Sequence, residues 1–310
     1  MWFKASAPGS LMLLGEYAVL QGGQALVCAI DKRITIYLSP RTDTKISISS
    51  RLGKFSCDLT NIIIQSPFQF VLTAINQFQT LLKTGCDITI ESEFSNVVGF
   101  GSSAAVTVAT IAALSTWLNQ DFDNMQLIHQ ARAVVQTVQG QGSGSDVAAC
   151  VLGGVVAYRM EPIAVEILPA IFPITVVYSG SKTMTADAIK LVQASFAEKP
   201  QLYQEICHGI NSCAELGVNY IKQKKWHELG EVMNSQQRMM DELGVSTPIL
   251  NQIIENLRQQ PDILGAKISG SGLGDCAVGL GTIETIEFQS PEIIVLPTSI
   301  STRGIECENG

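Results

Sequence analysis

Val97-Val98-Gly99-Phe100-Gly101-Ser102-Ser103-Ala104-Ala105 lies between two segments of different period. Before it, residues 87–92 alternate polar and apolar side chains, as a half-buried strand does. After it, a run of Ala, Val, Thr and Leu extends to about Leu118 and is apolar almost all round, which predicts a buried helix. The stretch is therefore a strand-to-helix loop. Its glycines let the backbone turn with positive φ and approach a ligand without a Cβ. A helix start offers unpaired N–H groups and the positive end of the dipole, and both favour phosphate. Ser102 and Ser103 add hydroxyls able to cap the helix or to reach a phosphate or a metal ion. Taken alone, the stretch reads equally well as a plain glycine turn with a serine cap. It is neither a Walker loop nor a dinucleotide fingerprint.

Working outward, residues 34–38 and 45–50 read as strands. Ser66-Pro67 opens a helix carrying Phe70, Leu72, Ile75, Phe78 and Leu81-Leu82 and stopping near Gly85. Another helix starts at Asn124, and residues 153–158 and 174–178 look like further strands. Residues 186–258 are nearly all helical, followed by strand-like segments at 266–269, 276–280 and 293–296. The expected fold class is α+β, with a mixed α/β part over residues 1–170 and a helix-rich part over 171–310.

The chain has 310 residues, 46% hydrophobic and 15% charged, enough for a large core and unlike a disordered chain. No apolar run reaches the ~18 residues of a membrane span, and the N-terminus lacks a signal peptide's apolar core, so a cytoplasmic location is expected. A net charge of −8 disfavours a nucleic-acid partner. Backbone amides and a divalent cation can still neutralise a bound triphosphate locally. The eight cysteines are scattered without a C-x-x-C pair and read as small buried hydrophobes. His129, His208 and His227 are too far apart in sequence to suggest a metal site.

Two further glycine-bearing stretches flank the loop. Ala7-Pro8-Gly9-Ser10-Leu11-Met12-Leu13-Leu14-Gly15-Glu16-Tyr17 begins the chain, and Gly265-Ala266-Lys267-Ile268-Ser269-Gly270-Ser271-Gly272-Leu273-Gly274-Asp275-Cys276 lies near its end. In order and spacing the three resemble the signature motifs of the GHMP kinase superfamily, over nearly the whole chain. The resemblance implies a ribosomal-protein-S5-like N-terminal domain and a ferredoxin-like C-terminal one. It also implies ATP and Mg²⁺ as cofactors. Carried over residue by residue, it assigns the nucleotide to Gly99, Gly101, Ser102, Ser103, Gly270, Ser271 and Gly272, and Mg²⁺ to Ser103. The catalytic carboxylate matches Asp146, in Gly142-Ser143-Gly144-Ser145-Asp146-Val147, where a helix N-cap is the plainer reading. Glu16, Tyr17, Lys182 and Thr185 match acceptor contacts. For Glu16 the plainer reading is a helix-start acid, and for Lys182 a solvated loop lysine.

Within the superfamily the chain is most similar to mevalonate kinases, through residues 105–114, 229–234 and 243–248 among others. It is next most similar to phosphomevalonate kinases, through Tyr17, the Ser-Gly-Ser-Asp string and Asp275. That acceptor would need extra cations, with Lys4, Arg33, Arg132 and Lys182 as candidate donors. Two positions depart from the family pattern. Ser10 stands where a lysine or arginine is usual, and Val135 where mevalonate kinases place a Mg²⁺-binding glutamate. These departures keep a non-catalytic ligand sensor in view, with diphosphomevalonate decarboxylase ranked lower. The implied partner is a small-molecule substrate, not nucleic acid or membrane, and the resemblance leaves room for a homodimer.

Overall fold

The computed structural model describes residues 1–283, 286, 288 and 290–310. Its first sheet grows from a long antiparallel pair, β1 (Phe3–Leu14) and β2 (Gln24–Pro40). Most of this pair was not expected as strand. β1 is built from Ala, Ser, Pro and Gly among its apolar residues, and these have poor strand propensity. Burial and the ladder hold it instead, with Ala5, Ala7, Leu11 and Leu14 all inaccessible or nearly so.

β2 then serves two neighbours in turn. Residues 24–28 pair with β6 (Val155–Met160), which pairs with β7 (Ile163–Leu168), and residues 34–40 pair with β5 (Cys86–Ser92). β3 (Lys45–Ser50) runs parallel to β5 and antiparallel to β4 (Gly53–Asp58). The polar C-terminal strand β12 (Glu306–Asn309) closes on β1, completing eight strands.

Four helices pack on this sheet: α1 (Gln69–Gln77), α2 (Ser102–Trp117), α3 (Asn124–Gln139) and α4 (Ser145–Leu152). Their shared core includes Ile36, Leu72, Ile75, Val108, Ile111 and Ala148. Fully burying one such aliphatic side chain contributes about 1.5–3 kcal/mol. α1 is shorter than its apolar pattern predicts. After Gln77 the amides of Gln79 and Leu81 reach back three residues rather than four, and the chain tightens into turns. α3 starts where expected, on an Asp123–Gln126 capping box.

The second sheet is antiparallel in the order β11 (Ile294–Leu296), β8 (Ile174–Tyr178), β10 (Cys276–Leu280), β9 (Gly265–Ser269). With it go α5 (Thr185–Ser195), α6 (Pro200–Gln223), α7 (Trp226–Glu242) and α8 (Pro248–Arg258). Val176 and Val278 join a core with Leu14, Leu26 and Leu229, while Val177 and Ala277 join Ile210, Ile253 and Ile268 in another. The period-2 alternation thus buries both faces of the sheet. The fold is α+β, and among the described residues no helix is long and apolar enough to cross a membrane.

Candidate active site

The starts of α2 and α4 and the ends of β1 and β9 meet at one cleft. At its phosphate-loop side Gly99 and Gly101 have φ of 72° and 61°. Gly101 is itself the N-cap of α2, and no side chain caps the helix. The serine-cap reading of this stretch does not hold: the left-handed glycine turns the chain, and Ser102 and Ser103 are the first two helical residues. Both line the cleft, beside first-turn amides that have no partner within the helix. A Cβ on Gly101 would fall 2.0 Å from Ser10 Oγ, so this glycine also makes room for a hydroxyl.

That hydroxyl is the cleft's key polar contact. Ser10 Oγ donates to Asp146 Oδ1 at 2.9 Å, and the Ser10 amide donates to the Phe100 carbonyl at 3.1 Å. Asp146 is not the N-cap of α4, because Gly144 takes that place with φ 87°. It stands in the first turn, where the helix dipole favours a negative charge. Asp146 faces the cleft and is otherwise enclosed. Desolvation pushes its pKa up, the Ser10 hydrogen bond opposes this, and the charge of Glu16 adds to the rise.

The third loop runs through Gly270 and Ser271 to Asp275. Gly270 and Ser271 line the cleft. Gly272 stands behind the loop, where a Cβ would lie 2.5 Å from the Val245 carbonyl oxygen. Tyr17 Oη donates to the Ser271 carbonyl at 2.6 Å, tying the first motif to the third. Asp275 is buried against Gly99, and desolvation raises its pKa to about 6 against the pull of Lys182. Among the described residues, Ser271 Oγ and Asp275 Oδ1 are buried without a hydrogen-bond partner.

Behind the cleft lies a network that sequence reasoning did not find. Lys267, with no exposed side-chain surface, pairs with Glu16 Oε1 at 2.5 Å, and Gln236 on α7 donates to Glu16 Oε2. The Gly270 amide donates to Glu16 Oε1 at 3.2 Å, and the Gly15 amide donates to Gln236 Oε1 at 3.0 Å. Glu16 borders the cleft, yet its carboxylate is committed to this network. The signal was present in the sequence: a lysine between Ala266 and Ile268 in a strand buried on both faces has to find a counter-charge.

Lys182 and Thr185 line the same cleft, with Lys182 Nζ donating to the Asn96 carbonyl. The other three cations weighed for a phosphorylated acceptor are engaged elsewhere. Lys4 pairs with Glu308, Arg33 binds the Ser6 and Gly304 carbonyls, and Arg132 binds the Met160 carbonyl and Glu161. Val135 also borders the cleft and supplies no charge. Six of the eight cysteines are buried.

The mevalonate kinase of Pyrococcus abyssi is 30% identical, over 96% of this chain and 94% of its own length. That of Archaeoglobus fulgidus is 33% identical over 89% of this chain and 91% of its own. The chain belongs to the GHMP kinase family. The family's N-terminal domain pattern matches residues 69–154 and its C-terminal pattern residues 218–287. The galactokinase galactose-binding signature matches residues 3–40. A solved structure of the Lin0012 protein from Listeria innocua superposes with a TM-score of 0.87 at 23% identity, covering 100% of both chains, and shares the fold. Membership makes this chain an ATP-dependent phosphotransferase.

In this kinase the Glu16–Lys267 pair is almost wholly buried. Removing one partner strands the other as a buried charge, which destabilises by about 3–5 kcal/mol. Glu16→Gln should lower stability to urea by that order, and adding Lys267→Met should restore most of it. Equal losses in the single and double variants would show that the pair does not act as a unit.

Removing the Ser10 hydroxyl takes away a bond made to the ionised form of Asp146, so Ser10→Ala should raise that carboxyl's pKa further. With Asp146 as the group whose protonation limits turnover, the acid limb of the kcat–pH profile should lie above the ~4 of an exposed aspartate and move higher still in the variant. An acid limb at the same pH in both proteins would contradict this coupling.

Proposed function

We propose that this kinase transfers the γ-phosphoryl group of ATP to the primary hydroxyl of mevalonate, giving 5-phosphomevalonate and ADP. The observation that carries the reading is Asp146, a carboxylate with a raised pKa in the same cleft as the amide-bearing start of α2. Gly99, Gly101, Ser102 and Ser103 hold the triphosphate, with Gly270 and Ser271 closing over it and Gly272 shaping the loop from behind. Mg²⁺ bound with ATP would offset phosphate charge, and the Ser103 hydroxyl is suited to ligate it. Asp146 accepts the proton of the acceptor hydroxyl as its oxygen attacks phosphorus and the bond to the ADP oxygen breaks. Orientation within the cleft supplies much of the acceleration.

Mevalonate carries one carboxylate, and among the described residues lining the cleft Lys182 is the one cation. A phosphorylated acceptor would bring two negative charges more than a neutral one, and Lys4, Arg33 and Arg132 are turned to other partners. Tyr17 and Thr185, with Leu20, Met184 and Ile189 nearby, form a partly apolar wall suited to a small methyl-bearing hydroxy acid. Glu16, first expected to touch the acceptor, is reassigned as the support of the third loop. The near-full-length similarity to proteins named mevalonate kinase favours the same acceptor.

Asp146→Asn should lower kcat by ~10²-fold or more while leaving ATP affinity nearly unchanged. Because burial raises this pKa above its unfolded value, ionising Asp146 opposes folding as pH rises. The variant should therefore be more stable than wild type at pH 8, with the difference vanishing below about pH 4. Turnover close to wild type would remove Asp146 from the chemistry.

A coupled ADP-release assay with mevalonate, phosphomevalonate, galactose and homoserine identifies the acceptor. Turnover with mevalonate alone is expected. Turnover with phosphomevalonate instead would overturn the choice, and binding without ADP release would mark a sensor.

A further inference from the structure

Among the described residues three carboxylates border the cleft, and two of them are engaged. Glu16 is held by Lys267 and Gln236, and Asp146 takes the Ser10 hydrogen bond and the proton-transfer role. Asp275 is the third. Only 8% of it is exposed, and among the described residues its Oδ1 has no hydrogen-bond partner. The backbone fixes it in place: its amide donates to the Ser181 carbonyl at 2.8 Å, and its carbonyl accepts from the Ser179 amide at 2.9 Å. Its side chain packs on the phosphate loop, where a Cβ built on Gly99 would come within 2.9 Å of Asp275 Cβ and 3.3 Å of Oδ1.

An unpartnered buried carboxylate is already unfavourable. Placed beside a triphosphate it would also repel the ligand that the loop is shaped to hold. A divalent cation between the two removes both penalties. Carboxylate oxygen is a hard donor, and Mg²⁺ in nucleotide sites is commonly held by one or two carboxylates together with phosphate oxygens. Among the described residues no cation does this work, since Lys182 Nζ donates to the Asn96 carbonyl and leaves Oδ1 unsatisfied.

We propose that Asp275 is the carboxylate that holds the divalent cation of the nucleotide-loaded kinase, with the Ser103 hydroxyl as its companion in the same cleft. This rests on the reading that the triphosphate occupies that cleft. It would give the metal an anionic ligand from the third glycine loop, where Val135 supplies none. Metal binding would then also draw that loop onto the nucleotide.

The test is Asp275→Asn, which is nearly isosteric. Asn tolerates the left-handed backbone (φ 60°) that Asp275 adopts. Two quantities are measured: Mn²⁺ affinity of the complex with the ATP analogue AMPPNP, by electron paramagnetic resonance, and AMPPNP affinity with metal removed by EDTA. The variant should bind Mn²⁺ about tenfold or more weakly, while metal-free AMPPNP binds as well or better because a negative charge is gone. Asp275→Gly, which also accepts this φ, should show the same Mn²⁺ loss and guards against an effect peculiar to the amide. Unchanged Mn²⁺ affinity in both variants would overturn the proposal. So would an equal Mn²⁺ loss in Lys182→Met with nothing added by the double variant, because Asp275 would then act only through that lysine. Wild-type protein that fails to bind AMPPNP at all would overturn the nucleotide reading and this inference with it.

Discussion

The buried pair between Glu16 and Lys267 joins residues 251 positions apart, and the cleft depends on it. Glu16 follows the end of β1, and Lys267 lies inside β9, just before the third glycine loop. Gln236 on α7 fills the remaining acceptor site, and the Gly270 amide shares the same carboxylate. Each charge would be strongly unfavourable in this interior alone; together they fix the register of two sheets against each other. Tyr17 adds a second tie to the same loop through the Ser271 carbonyl. With both ties made, the third loop cannot drift from the first motif.

On that frame the electrostatics of the site become local. The protein carries eight excess negative charges, yet two helices begin at the cleft, each through a left-handed glycine. The start of α2 presents unpaired amides to the cleft. The start of α4 eases the ionisation of Asp146 while burial resists it, and Ser10 contributes a neutral hydrogen bond where the family usually supplies a cation. The outcome is a carboxylate enclosed by protein on one side and open to the cleft on the other.

Much of this was legible in the sequence wherever the signal is local. The glycine loop before α2, the start of α3 at Asn124 and the strands at Ile174–Tyr178 and Cys276–Leu280 each follow from a few adjacent residues. β1 was not read as a strand because its small residues carry little propensity, and its pairing with β2 supplies what they lack. β12 is polar and gives no apolar alternation to detect. The site's long-range contacts were hidden for a different reason. Ser10 reads from sequence as a departure from the first motif's usual cation, and only the fold brings its hydroxyl to a carboxylate 136 residues away. Likewise the resemblance assigns Glu16 to the acceptor, and only the packing of β9 reveals that Lys267 pairs with its carboxylate.

The most direct measurement is a crystal structure of the kinase with AMPPNP and mevalonate. The terminal phosphate should rest at the N-terminus of α2, and the acceptor hydroxyl should lie within about 2.6–3.2 Å of an Asp146 oxygen. A nucleotide bound away from α2, or an Asp146 with no acceptor oxygen in reach, would contradict the arrangement of three distant chain segments around one triphosphate and one base.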